Sequence, residues 1–529
     1  MKQKLDRILE KYPGSVFKSR KEHILIKQSN TDEPQVISAN TRVIPGIMTQ
    51  RGCCYAGCKG VVLGPLKDAV VLTHGPVGCG YFSWGTRRNK GKKEDGEDNF
   101  LNYCFTTDMQ EGDIVFGGMK KLRQAIKEAA EIFSPSTIMI CSTCPVGLIG
   151  DDINAVALES EKQYGIKVLS FSCEGYKGVS QSSGHHIANN GIIKHLIGTG
   201  DGVVGKYSVN VLGEYNIGGD GFEIERILKK TGYDVVTVMT GNGTVEGLKN
   251  AHKADLNLVQ CHRSINYIAE MMNAKYGTDW IKVNFIGLKA LVQSLRDMAK
   301  YFDDPELTAR TEAVIEEELA EVVPKLAHFR KFTKGKTAAL YVGGSRAHHY
   351  QHLFKDLGIE TVLAGYEFAH RDDYEGREVL PNMKVDADSK NIESLVMEPD
   401  PEKYKVLLSK EKFEALSKEI PLNYYGGMMR DMPDGSIVVD DLNHYETEEF
   451  LKFLKPDIFC SGIKDKYISH KAGIFSKQLH SYDYSGPYAG FTGAVNFARD
   501  IAMGLTAPAW KLVNPPWKTE PMLVGTFGI

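Results

Sequence analysis

Short apolar, β-branched runs recur along this 529-residue chain. Each is followed by a glycine-rich loop and then by a stretch whose apolar positions repeat at helical spacing. The runs are Asp68 to Thr73, Thr137 to Ile140, Val168 to Phe171, Ser208 to Leu212, Val235 to Met239, Leu256 to Val259, Ala338 to Val342, Thr361 to Leu363 and Asp457 to Phe459. Bounded by glycine and turn residues, such runs predict buried strands. The stretches 221–233, 264–277 and 288–302 predict helices between them. This alternation predicts an α/β fold class, with mostly parallel sheets flanked by helices.

The length exceeds what one core supports. The pattern divides into three Rossmann-like domains behind an N-terminal arm, with any site in the clefts between domains. The arm is expected over 1–45 and the α/β domains over 46–205, 206–335 and 336–529. A long charged helix near 305–332 marks the last boundary. Residues 376–430 break the alternation. They are rich in Lys, Glu, Asp and Pro, carry one amphipathic helix, KEKFEALSKEI, and are expected to form a surface insertion.

In such sheets ligands bind beyond the carboxyl ends of the strands, and the unusual residues fall there. Cys79 follows the strand ending at Thr73, Cys144 the one ending at Ile140, and Cys261 the one ending at Val259. Gly343 and Gly344 follow the strand ending at Val342. Cysteines that merely fill core have no reason to recur at that position. The densest stretch, Arg51 to Arg88, holds Cys53, Cys54, Cys58 and Cys79 in glycine-rich loops around its strand.

Hydrophobic content of 42% and charged content of 25% are ordinary for a globular protein. A formal net charge of −3 gives no general case for nucleic-acid or membrane-surface binding. The N-terminus, MKQKLDRILEKYPG, reads as a charged helix rather than a signal segment. No window holds the roughly 18 consecutive apolar residues of a membrane helix, so the expected location is cytoplasmic. Disulfides are rare there, which leaves the ten cysteines free, metal-bound or catalytic. Cys104, Cys173 and Cys460 lie in or beside apolar runs and are expected in the core.

There is no GxxxxGKS/T loop, and no GxGxxG after a strand, so nucleotide binding by this chain is not expected. A paired CxxC zinc motif and a ferredoxin run are also absent. Cys141-Ser-Thr-Cys144 is a lone CxxC. Single cysteines on separate loops can still build one site. Cys53 follows Gly52, Cys79 lies between Gly78 and Gly80, and Cys144 precedes Pro145-Val146-Gly147. Neighbouring glycines let backbone N–H groups approach cluster sulfides. The residues alone give three thiolates on strand-end loops, compatible with one iron–sulfur cluster.

As whole motifs, RGCCYAGCKGVVLGP, HGPVGCGY, CPVGLIGDDI, CEGYKGVSQSSGHH, GEYNIGGD, LVQCHRSINYI, GYEFAHRDDY and HSYDYSGPYAGF resemble the α subunits of the dinitrogen-reducing component of nitrogenase. The resemblance runs in order from about residue 45 to about residue 512, and the 376–430 segment resembles the longer clostridial-type chains. It implies reduction of dinitrogen to ammonia with hydrogen evolution, in an α2β2 heterotetramer. A separate ATP-hydrolysing iron protein would supply the electrons.

On this resemblance, Cys53, Cys79 and Cys144 are the α-side ligands of an eight-iron, seven-sulfide P-cluster shared with the β subunit. Cys54 and Cys58 drop out as ligands. Cys261 and His480 would hold the iron–molybdenum–sulfur cofactor with its homocitrate, the thiolate on iron and the imidazole on molybdenum, as the metals' preferences allow. Arg87 and Arg346 would offset the cofactor's negative charge. Gly343 and Gly344 would admit backbone N–H groups. Gln181 and Lys464 match positions near homocitrate, with Asp465 standing where the family usually has Glu. His185 matches a histidine that helps proton delivery, and Val61 matches the small aliphatic residue over the reactive face. Tyr215, Ser264, Glu367, Phe368 and His370 match pocket positions. A vanadium or iron-only nitrogenase α subunit is the near alternative. A cofactor-assembly scaffold of the same fold is the more distant one.

Overall fold

The computed structural model describes residues 2–29, 35–42, 46, 51–85, 91, 98–376, 392–462, 466–480, 482 and 485–513. Arg87, Lys464 and Asp465 lie outside the described residues. The described strands form three sheets.

The first sheet has three parallel strands, β2 (Ala69–His74), β3 (Thr137–Ser142) and β4 (Lys167–Phe171), in that order. β2 and β3 are buried along their whole length, as the apolar runs require. The second sheet runs β6-β5-β7-β8, all parallel, from β5 (Ser208–Glu214), β6 (Asp234–Thr240), β7 (Leu256–Val259) and β8 (Asp279–Lys282).

The third sheet runs β1-β11-β10-β9-β12-β13. Its parallel strands are β9 (Thr337–Tyr341), β10 (Glu360–Tyr366), β11 (Ile437–Asp440), β12 (Ile458–Ser461) and β13 (Phe475–Gln478). β1 (Ile24–Ile26) adds antiparallel to the edge. The arm therefore joins the third sheet, pinned by Arg20, which reaches Glu446 with two N–H groups at 2.7 Å each.

Nine strands match the apolar runs to within a few residues. β1, β8, β11 and β13 were not among them. Each is only three or four residues long, and β8 (DWIK) and β13 (FSKQ) carry no apolar run. The long helix Pro305–Thr333 is present, capped by Asp304.

The expectation of a purely superficial insertion is corrected. Residues 377–391 lie outside the described residues, and Val396 and Val406 are exposed. From Leu416 onward the segment turns inward: Leu416, Ile420, Leu422, Tyr425 and Met428 are buried. These apolar residues were hidden among the segment's charges. They pack into the same cores as the second and third sheets.

Candidate functional site

The first group of site residues stands at the carboxyl edge of the first sheet. Cys79 lies on the helix Val77–Gly85 just after β2, and Cys144 opens the helix Cys144–Ile149 just after β3. Cys53 precedes a stretch of π-helix, Ala56–Leu63, a form that often marks functional sites. All three thiols are exposed on this chain. Gly175 brings them together: a Cβ there would sit 2.9 Å from Cys144 Sγ and 3.4 Å from Cys53 Sγ. Burial, then the nearby Cys53 and Cys144, pushes the Cys79 thiol up. Three converging thiols beside a glycine fit a thiolate-held cluster. Around them Val77, Tyr81, Phe82 and Leu148 are exposed. Such an apolar rim marks a surface that another chain covers.

A tighter thiol group lies beneath. Cys58, Cys141 and Cys173 have their sulfurs within 4.8 Å of one another and are fully buried. Burial opposes a thiolate there. Even so, hydrogen bonds from Cys173 and Cys58, with the Lys59 ammonium, bring Cys141 down to about 5. Cys173 and Cys460 are in the core, as expected, whereas Cys104 is only half-buried.

The π-helical stretch rests on the helix Ser182–His195, main chain against main chain. A Cβ on Gly57 would fall 1.8 Å from the Gln181 carbonyl oxygen, and one on Gly184 would fall 2.0 Å from the Cys54 carbonyl oxygen. Only glycine permits this approach. Gln181 also leans on the thiol loop, its Oε1 2.3 Å from where a Gly52 Cβ would lie. His185, on the same helix, is buried and meets the Phe368 ring edge-on at 5.8 Å. Val61 is half-buried and borders two apolar cores.

The second group gathers between the second and third sheets. Cys261 caps the helix Ile-rich at its start, His262–Tyr276, which also carries Ser264. Gly213 backs it, with φ +81 and a would-be Cβ 2.7 Å from that of Cys261. The loop after β9 faces the sulfur. Ser345 N–H donates to Cys261 Sγ at 3.5 Å, and Gly344 (φ +64) would place a Cβ 3.0 Å from it. Gly343 is fixed by Phe368 instead, whose ring lies 1.9 Å from the Cβ position.

His480 meets the same loop. Its Nε2 is 3.3 Å from the Gly343 carbonyl oxygen and its Nδ1 is 4.0 Å from Glu367. Arg346 donates to Tyr482 Oη at 2.6 Å and to Asp220 at 3.3 Å. Tyr215 is buried. His370 meets Tyr267 Oη at 3.0 Å. One thiol and one imidazole about a glycine loop, with a buried guanidinium beside them, fit a large anionic metal–sulfur group.

Residues not read from the sequence support this site. Lys282, at the end of β8, donates to the Gln260 carbonyl at 2.9 Å and lies 2.9 Å from His349 Nε2. Burial pulls its pKa down to about 7, with Cys261 and Asp373 opposing. His262 stacks on Tyr425 at 4.0 Å and meets Asp373 at 3.3 Å. Burial lowers its pKa to about 4. The strand-end rule would have flagged Lys282 had the short β8 been read.

Thiols, imidazole and glycine loops at the strand ends of parallel sheets define a metal-cluster oxidoreductase. Residues 53–506 match the family of nitrogenase component 1 type oxidoreductases, and the chain belongs to it. It is similar to the nitrogenase molybdenum-iron protein alpha chain of Clostridium pasteurianum, with 59% identity over 97% of this chain and 96% of that one. The corresponding chain of Methanosarcina barkeri is 54% identical over 98% of this chain and 97% of its own. A solved structure, nitrogenase Cp1 at pH 6.5, superposes with a TM-score of 0.94 at 59% identity, covering 97% of this chain and 99% of that chain. No helix among the described residues is long and apolar enough to cross a membrane.

Proposed function

We propose that this chain is the alpha subunit of a molybdenum-type nitrogenase component 1, reducing dinitrogen to ammonia with hydrogen evolved alongside. What supports this most is that Cys261 and His480 both meet the Gly343–Arg346 loop, one through the Ser345 N–H and the other through the Gly343 carbonyl. A beta subunit covers the exposed Cys53, Cys79 and Cys144 and completes the P-cluster. An ATP-hydrolysing iron protein delivers electrons there, which fits a chain without a phosphate-binding loop.

When bound, the iron–molybdenum cofactor with homocitrate supplies the multi-electron redox chemistry. The protein's residues do the rest. The Cys261 thiolate and the His480 imidazole nitrogen would hold the cofactor. Ser345 N–H donates to the Cys261 sulfur and moderates its charge. Arg346, held by Tyr482 and Asp220, would offset the cofactor's negative charge, as Arg87 would by the resemblance. Gln181 and, by the resemblance, Lys464 would hold homocitrate. Glu367 lies beside His480, and the Phe368 ring packs on Gly343; Ser264 matches a pocket position of the family. His185, edge-on to Phe368, holds and passes a proton at its ring nitrogen. Val61 limits the size of what approaches.

Iron, molybdenum and vanadium content of the native complex, with acetylene and dinitrogen reduction in the presence of iron protein and MgATP, tests the reading. Molybdenum together with both reductions is expected. Vanadium without molybdenum, or cofactor without dinitrogen reduction, overturns it.

A further inference from the structure

One cluster of ligating side chains plays no part in the function above. His348 and His352 stand one turn apart on the helix Arg346–Leu357, so both imidazoles leave the same face. Their rings lie 5.4 Å apart. Asp431 closes the short turn Met428–Asp431 and brings Oδ2 to 2.5 Å from His348 Nε2 and 3.2 Å from His352 Nε2. The three ligand atoms lie within 4.8 Å of one another. Lys355 Nζ is 3.7 Å from the other oxygen, Oδ1.

Proton positions decide what fits between these groups. Tyr425 Oη donates to the Asp373 carbonyl at 3.0 Å, so its oxygen is left to accept from His348 Nδ1 at 3.3 Å. His348 Nδ1 thus has a partner of its own, and Nε2 is the ring nitrogen that faces the Asp431 carboxylate. At 2.5 Å the His348 Nε2 and the Asp431 carboxylate share either a ring proton or a metal ion. Burial holds the His348 pKa below its ordinary value, with His352 and Lys282 adding to it and Asp431 opposing. The balance works against the imidazolium.

We propose that His348, His352 and Asp431 form a binding site for a divalent first-row transition-metal ion such as zinc, which ties the end of the 376–430 segment to the helix that begins at Arg346. Two imidazoles and a carboxylate are a donor set zinc accepts, with a further position left to water. The Nδ1–H bond to Tyr425 is the outer contact that orients a ligating histidine. Side-chain exposures of 31% for His352 and 25% for Asp431 give an ion access on this chain. Tyr425 also stacks on His262, the neighbour of Cys261. The ion would therefore steady the wall behind that cysteine.

The test uses the native complex, treated with EDTA and dialysed against micromolar zinc chloride. Bound zinc, iron and molybdenum are measured by mass spectrometry, and the zinc is located by anomalous scattering at its absorption edge. Roughly one zinc per chain at His348, His352 and Asp431 is expected. His352→Asn and Asp431→Asn should each weaken uptake by about tenfold or more, with iron and molybdenum content unchanged. That separates loss of the site from loss of the fold. Lys355→Ala should strengthen uptake, because the ammonium competes for Asp431, and a merely damaged variant would not gain affinity. No stoichiometric zinc on the wild-type complex, or uptake indifferent to both Asn substitutions, overturns the site.

Discussion

Ser345 clasps Cys261 from two directions: its N–H donates to the cysteine sulfur at 3.5 Å, and its Oγ accepts the His262 N–H at 2.8 Å. The second sheet's strand-end loop is thereby joined to the third sheet's. A cofactor held by Cys261 would sit on a joint between two sheets. Cys261→Ala should leave an assembled complex with little molybdenum, while iron attributable to the P-cluster stays. Metal analysis per alpha–beta pair checks this, and full molybdenum occupancy in the variant would rule out the ligand role.

His185→Asn removes the titratable ring but keeps a polar side chain of similar reach. Dinitrogen reduction should fall by about tenfold or more, within the range a positioned proton donor supplies. Proton reduction should persist. An unchanged ratio of ammonia to hydrogen would count against proton delivery through this residue.

The 376–430 segment should divide in two. Replacing Val396 and Val406 together by Ser should leave cluster content intact, because both are exposed. Truncating Tyr425 to Ala should cost about 3 kcal/mol or more and lower molybdenum occupancy, because the ring is buried and stacks on His262 beside Cys261. Thermal unfolding and molybdenum analysis of the two variants separate the halves.

Gly184→Ala should fail where most Gly→Ala changes within a helix help. The added methyl would lie 2.0 Å from the Cys54 carbonyl oxygen and 2.4 Å from the Cys58 nitrogen. The loss should reach roughly 3 kcal/mol, the upper range for overpacking, or abolish assembly. Denaturation midpoints and iron content report it, and a variant as stable as wild type would contradict the close packing.

The N-terminal arm should loosen in acid. Burial lowers the His23 pKa to about 4, with the Arg20 charge adding to it. The unfolded histidine titrates at about 6.5, so between those values the unfolded state binds the extra proton. The contribution is complete above pH 6.5 and is lost as pH falls toward 4, by about 3 kcal/mol at most. Asp440 and Asp441, raised by burial to about 7 and about 8, act in the opposite sense: they favour the folded state as pH falls from 8. His23→Gln should therefore flatten the acid side of a stability–pH curve measured from pH 6.5 to 4. The same slope in both proteins would show that the ring does not titrate there.

Much of the fold was legible because long buried strands leave apolar runs, as β2 and β3 do. Four of the short strands were not: β8 and β13 mix charged residues with their apolar ones, and β1 and β11 are brief runs in polar surroundings. The thiols, Cys261 and the glycine loop could be placed by their position after strands. Pairing His480 with Cys261 took the resemblance, since nothing local distinguishes a loop histidine. The inward turn of Tyr425 stayed hidden among charges. So did the reason for Gly343, which lies in Phe368, distant in sequence but packed against it.

The main-chain contact of Gly57 and Gly184 has a kinetic consequence. Electron tunnelling weakens steeply with distance, so the spacing between a donor and an acceptor must not drift. Side chains packed between two elements would let that spacing creep with each core substitution. Here the thiol loop and the helix carrying His185 rest on bare peptide groups, so no side chain sets the gap between them.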